Sequence, residues 1–365
     1  MSDKEQVCKK IIKIIEELPF FLEHQRINEE GEYRYSYSGD IAKIKDRGLV
    51  GTTSFALKLL YTIGIENDDI RVRSAINCIK SFENKKGYIY DPYVYNSQII
   101  KNVFNSIKAK EFDNIFNERY KRAESRQCFS SMFLFDEIPN KIPSNMIMTN
   151  DEAIAYLEKF DWRFPWAAGS HMSHLLFFLN IQRKMGILNE KEYIYKRDNI
   201  VNWVNEIQKP DTGSWYDKET TIQQKINGAM KVITGFYAAG VTNFNYSKQL
   251  IDLCLDNINN SQACDNFNVV YVISKAALNE PNYRKDEIQR FAINKFNDYM
   301  KCYHEEQKGF SFYVNKSNVN YYGAKVTHGL NEADMHGTTL FMWGLSIISQ
   351  LLGIENEVEL KEFLT

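Results

Sequence analysis

Gly309-Phe310-Ser311-Phe312-Tyr313, followed by Asp334-Met335-His336-Gly337-Thr338 at the head of a long apolar run, contains both halves of a phrase that recurs along the chain. The first half is a Gly-aromatic turn. It is seen again in Gly31-Glu32-Tyr33-Arg34-Tyr35, Gly87-Tyr88-Ile89-Tyr90 and Gly213-Ser214-Trp215-Tyr216. The second half is a small or polar start to an apolar helix. It returns at Gly51-Thr52-Thr53-Ser54, Glu124-Ser125-Arg126, Gly169-Ser170-His171, Lys225-Ile226-Asn227-Gly228 and Asp265-Asn266. Six polar-headed helices spaced by roughly 40 to 75 residues fall in the range of repeat architectures. Set side by side, they would bring their heads to one rim, and a ring of Arg, His, Lys, Asp and Asn is a site.

Helical periodicity dominates the chain around these starts. Ile11, Ile12, Ile14, Ile15 and Leu18 mark a first amphipathic helix that Pro19 should end; Leu57, Leu59, Leu60 and Ile63 mark a second, closed by Gly64. Later apolar runs stop at Pro139, Gly186, Gly240, Pro281 and Gly353, and more polar helices such as 192–207 and 285–303 lie between them. No sustained period-2 alternation argues for a sheet. Alternating apolar and amphipathic helices predict a single all-α domain over 1–365. Its form would be an α/α toroid of about six helix pairs, apolar helices inside and amphipathic ones outside, with residues 1–30 closing onto the ring as an N-terminal helix.

The 365 residues carry 45 basic and 47 acidic side chains, a net charge of -2 without long blocks of one sign. That balance argues against nucleic acid and against an anionic membrane surface as partners. Six cysteines, at 8, 78, 128, 254, 264 and 302, form no CxxC pair and read as reduced packing residues. The charged N-terminus lacks the apolar core of a secretory signal, and no apolar run approaches the length of a membrane span. The expectation is a cytoplasmic protein without a transmembrane segment. Aromatic residues stand out, with 22 Tyr, 23 Phe and 5 Trp, and can pack a core, stack on sugars or stabilise cations.

Gln208-Lys209-Pro210-Asp211-Thr212-Gly213-Ser214-Trp215 resembles the Gln…Asp-Gly-x-Trp repeat of triterpene cyclases, with echoes at Lys86-Gly87-Tyr88 and Gln307-Lys308-Gly309-Phe310. Asp334-Met335-His336-Gly337-Thr338-Thr339-Leu340-Phe341-Met342-Trp343-Gly344-Leu345-Ser346 resembles the His-Thr-x-Tyr-x-Leu-x-Gly-Leu-Ser helix of protein prenyltransferase β-subunits. Both belong to the terpenoid cyclase/prenyltransferase toroid superfamily, and the resemblance implies an α/α toroid acting on an isoprenoid. It also implies that His336 corresponds to a zinc ligand. The chain departs from the superfamily elsewhere. Cys264-Asp265 are adjacent and reversed relative to the prenyltransferase Asp-x-Cys, and Asn67-Asp68-Asp69 is not the cyclase Asp-x-Asp-Asp acid.

Several side chains are candidates for chemistry. Asp334 and Asp265 would be acids raised by desolvation among aromatics, with His336 and His171 as partners; the competing role for each Asp is to cap its helix. Arg126, placed in a first helical turn, opposes the helix dipole and calls for an anion, as do Lys225 and Lys231. His174, Asn227 and Asn266 would complete the polar rim. Trp162 and Trp166 could wall a cavity, or staple the loop before the His pair. His171 and His174, at i and i+3 on one helix face, could join Asp334 and His336 around zinc; no other cofactor is implied. The expected ligand is a small molecule, an isoprenoid first. A carbohydrate cleaved by a carboxylate pair or by a Tyr/His base is the second reading, and a non-catalytic binding toroid the third.

Overall fold

The computed structural model describes residues 2–109, 114, 116–256 and 262–365. About 60% of it is helix, in fourteen helices, with only two short hairpins beside them. The helices of the N-terminal third are α1 (Asp3–Gln25), α2 (Val50–Thr62), α3 (Ile70–Ser81), α4 (Pro92–Ala109) and α5 (Glu118–Phe133). Then follow α6 (Asn150–Glu158), α7 (Pro165–Lys184), α8 (Glu190–Glu206), α9 (Ile222–Ala238), α10 (Ser247–Asp256), α11 (Ala263–Asn279) and α12 (Lys285–Met300). The hairpins β1–β2 (Tyr303–His304, Gly309–Phe310) and β3–β4 (Asn320–Tyr321, Ala324–Lys325) precede α13 (Met335–Leu352) and α14 (Glu355–Val358). No helix among the described residues is long and apolar enough to cross a membrane.

The chain forms two compact units. The first comprises Met1–Lys141, Tyr299–Ser346 and Asn356–Phe363; the second comprises Ile142–Asp298, Ile347–Glu355 and Leu364–Thr365. In the first, α2 packs on α3 and α5; in the second, α7 packs on α9, and α11 on α9 and α10. Local chemistry sets the helix ends. Ser2 and Glu5 form a capping box on α1, as Thr149 and Glu152 do on α6 and Asn189 and Glu192 on α8.

Several boundaries differ from the sequence reading: Gly169 and Lys225, expected as helix heads, lie a turn inside α7 and α9, and two further differences matter more. Pro19 lies inside α1 and does not end it. Leu18, Phe21, Leu22 and Gln25 continue the buried stripe at helical spacing, and that burial outweighs the hydrogen bond that proline forfeits. Helix α5 starts at Glu118, so Arg126 lies well inside the helix and not in its first turn. The dipole argument for an anion at Arg126 therefore falls.

The Gly-aromatic turns act as staples. At Gly213 φ is +69°, and a Cβ there would stand 2.4 Å from the Tyr246 carbonyl oxygen, so only glycine fits. Two residues on, the buried Trp215 ring meets Phe236 of α9 and Phe244 edge-on, at 5.8 and 6.0 Å.

Candidate functional site

The first unit gathers a connected set of polar and aromatic side chains from four elements. Helix α5 supplies Glu124, which is fully buried. Its Oε2 accepts a hydrogen bond of 2.7 Å from the Tyr321 hydroxyl at the end of β3, while Oε1 has no hydrogen-bond partner. Burial pushes the Glu124 carboxyl up to about 8, the neighbouring Asp91 charge adds to this, and Tyr321 and Lys58 oppose it. Glu124 therefore holds its proton at neutral pH. Gly51, at the start of α2, allows this approach: a Cβ there would lie 2.0 Å from the Tyr321 hydroxyl and 2.7 Å from Glu124 Oε1. Asp91, also fully buried, is gripped by both terminal nitrogens of Arg47 at 3.0 and 2.8 Å.

His336 stands in the first turn of α13 and remains partly accessible. Its Nδ1 lies 3.3 Å from the Tyr35 hydroxyl and 3.3 Å from Asn318 Nδ2, and Asn318 donates to the Tyr35 hydroxyl at 3.0 Å. Asn318 Nδ2 can only donate, so Nδ1 is the accepting nitrogen and the imidazole carries its proton on Nε2. Phe55 of α2 stacks on the imidazole at 4.9 Å, and Phe312 covers it from another side at 4.9 Å. Phe55 and Tyr35 also touch the Tyr321 ring, at 6.0 and 5.8 Å, so the histidine and the Glu124–Tyr321 pair share one aromatic cluster. Tyr321 in turn packs against Tyr322, and burial lowers the pKa of the nearby Arg126.

Asp334 takes the second of its two expected roles, the helix cap. Oδ1 accepts from the Gly337 amide at 2.8 Å, and Oδ2 from the amides of Phe312 and Asn318 at 2.8 and 3.1 Å. It caps α13 and ties down the loop that carries Asn318. Burial lifts it to about 7 against the pull of these amides. Tyr35 and Asn318, the partners described at Nδ1, hold the imidazole in place of the expected carboxylate. Around Tyr35, Asp40 accepts from the amides of Tyr35 and Ser36, and Glu332 from the amides of Ser38 and Gly39, which fixes the phenol's backbone.

The remaining candidates belong to the second unit. Asn227 donates to Asp265 at 3.1 Å and accepts from Asn268 at 2.8 Å, and Gln262 also reaches Asp265. Asp265 lies inside α11, whose cap position is Gln262, so it is not the helix cap. Asn266 accepts from the buried Lys295 at 3.0 Å. Lys225 sits 4.5 Å over the Tyr216 ring and 3.4 Å from Glu219. His171 meets the Tyr156 hydroxyl at 2.6 Å and the Phe160 ring at 3.8 Å; His174, one turn on, is buried. Trp162 is buried against Trp203 of α8, a staple in form, while Trp166 keeps some exposure. Among the described residues no three His, Cys, Asp or Glu side chains come together to hold a metal ion; of the expected zinc set, His171 and His174 belong to the second unit and Asp334 and His336 to the first.

Sequence reasoning thus named His336 and Arg126 of the first-unit cluster and missed Tyr35, Asn318 and Tyr321. Glu124 enters the sequence reading as a polar helix head and as one anion that Arg126 calls for. No local signal marks Glu124, since its helix neighbours Tyr120, Lys121, Gln127 and Ser131 are polar. No protein-family model matches the chain, and no curated protein matches it.

Proposed function

We propose that the chain is an acid–base enzyme that breaks a carbon–oxygen bond of an anionic carbohydrate by β-elimination. The observation that carries this reading is Glu124, a buried carboxyl held protonated near neutral pH with one oxygen unpartnered, in the same aromatic cluster as an accessible histidine. In such a reaction Nδ1 of His336, the nitrogen without a proton, takes the proton α to a uronate carboxylate. The electron pair forms the carbon–carbon double bond, the carbon–oxygen bond breaks, and the departing oxygen takes a proton from the Glu124–Tyr321 pair. Arg126 would face the uronate carboxylate, and Tyr and Phe rings suit sugar faces.

Magnitudes separate this from the isoprenoid reading. A carboxyl near 8 is matched to an oxygen leaving group at neutral pH, where an acid works best with a pKa close to the operating pH. It is a weak donor to an unactivated alkene. Hydrolysis by a carboxylate pair fits less well, because Asp91 is spent on Arg47 and Asp334 on backbone amides. The isoprenoid reading keeps one observation in its favour: the faces of His336 are covered by Phe55 and Phe312, an apolar lining that suits a hydrocarbon chain. Six free cysteines fit a reducing compartment such as the cytoplasm.

The test is a panel of polyuronates and, separately, isoprenoid diphosphates. The expected result is a conjugated, ultraviolet-absorbing uronate product, with His336→Ala and Glu124→Gln each lowering its rate by about 10²–10⁴. Turnover of an isoprenoid alone would replace this reading with the cyclase one.

A further inference from the structure

Helix α4 turns an apolar stripe to solvent. Ile100, Phe104 and Ile107, at i, i+4 and i+7, are 71%, 72% and 58% exposed and fall within one narrow arc of the helix. Helices that face water normally keep such positions polar, and a contiguous exposed apolar face marks a contact surface. The charges that α4 itself carries have one sign. Pro92–Ala109 contains no Asp or Glu; Lys101 and Lys108 lie together on one flank of the stripe, both exposed. At the helix start, exposed Lys43 lies 6.0 Å from the Tyr93 ring, and the Tyr93 hydroxyl donates to the carbonyl of exposed Lys325.

We propose that α4 docks the protein in the plane of an anionic lipid surface, its Ile100–Phe104–Ile107 stripe among the acyl chains and the flanking lysines at the headgroups. An in-plane helix needs an outward apolar face, cationic flanks and an amphipathic aromatic near the interface, and α4 with Tyr93 has all three. The geometry is that of lying on a bilayer, because no described helix is fit to cross one. This reverses the expectation drawn from whole-chain charge, which averages a local basic edge against acids placed elsewhere. It is independent of the reaction proposed above.

The test is sedimentation of the full chain with phosphatidylcholine vesicles, with and without phosphatidylglycerol. The wild type should bind anionic vesicles at least tenfold better than neutral ones. Ile100→Ser/Phe104→Ser/Ile107→Ser should lose that binding at least tenfold while its circular dichroism stays unchanged, since the three side chains are exposed. Lys101→Glu/Lys108→Glu should lose the preference for anionic lipid. Absence of wild-type binding, or binding that the apolar substitutions leave intact, would overturn the proposal. So would a wild-type dimer, seen in size-exclusion chromatography, that the apolar substitutions dissociate, because the stripe would then belong to a second copy.

Discussion

Glu124 and Asp334 are both buried carboxyls raised above their ordinary values, and their surroundings give them opposite tasks. Asp334 meets three backbone amides at 2.8–3.1 Å, whereas Glu124 meets one phenol and leaves an oxygen bare. Asp334→Asn would turn amide hydrogens toward amide hydrogens, and a loss of about 3 kcal/mol is expected in urea unfolding. The histidine itself should tolerate change: His336→Ala should shift stability far less, since its ring is partly accessible. Raised carboxyl values also fix a pH dependence. A proton that the folded state binds more tightly than the unfolded chain stabilises the fold below the unfolded value of about 4.5, and that stability drains away as pH rises toward 8. Between those limits Glu124 alone costs about 1.4 kcal/mol per pH unit. Stability in thermal unfolding should therefore fall from pH 5.5 to pH 8, by about that slope from Glu124 and by as much again from Asp334 up to pH 7, and Glu124→Gln should flatten the curve, most visibly above pH 7, where Asp334 has lost its own contribution.

At the scale of elements, the helix starts were legible because small and polar residues before apolar runs are set by hydrogen-bonding needs at helix ends, a local matter. Their boundaries were less so. Pro19 reads as a stop, yet long-range burial of Phe21 and Leu22 carries α1 past it, and Arg126 reads as a head only because the polar first turns of α5 dilute the apolar signal. The Gly-aromatic turns can be tested as staples. Gly213→Ala adds both a left-handed strain of about 1–2 kcal/mol and a clash with backbone, so a loss of about 3 kcal/mol or more is expected. Gly186→Ala, with φ +71° and nothing within 4 Å of its Cβ, should cost only the strain, about 1 kcal/mol. Equal losses in denaturant unfolding would mean that the Gly213 turn is not packed as described.

For the whole molecule, the sequence made the helical class plain, since period-3.6 patterning runs nearly end to end and only two-residue strands interrupt it. The site was legible only in part. His336 announced itself at a helix head, but Tyr35 and Asn318 sit in loops, joined to it by tertiary contacts across 301 and 18 residues that no local pattern encodes. Tyr321, likewise, reaches Glu124 across 197 residues. What unites these groups is a carboxyl that keeps its proton where most are ionised. Carbon-13 NMR titration of Glu-labelled protein, with Glu124→Gln to assign the resonance, measures this without any substrate. The Glu124 carboxyl carbon should stay at its protonated shift through pH 7 and move with a midpoint near 8. A midpoint near the ordinary 4.5 would show an ionised carboxylate and remove the proton donor on which the proposed chemistry depends.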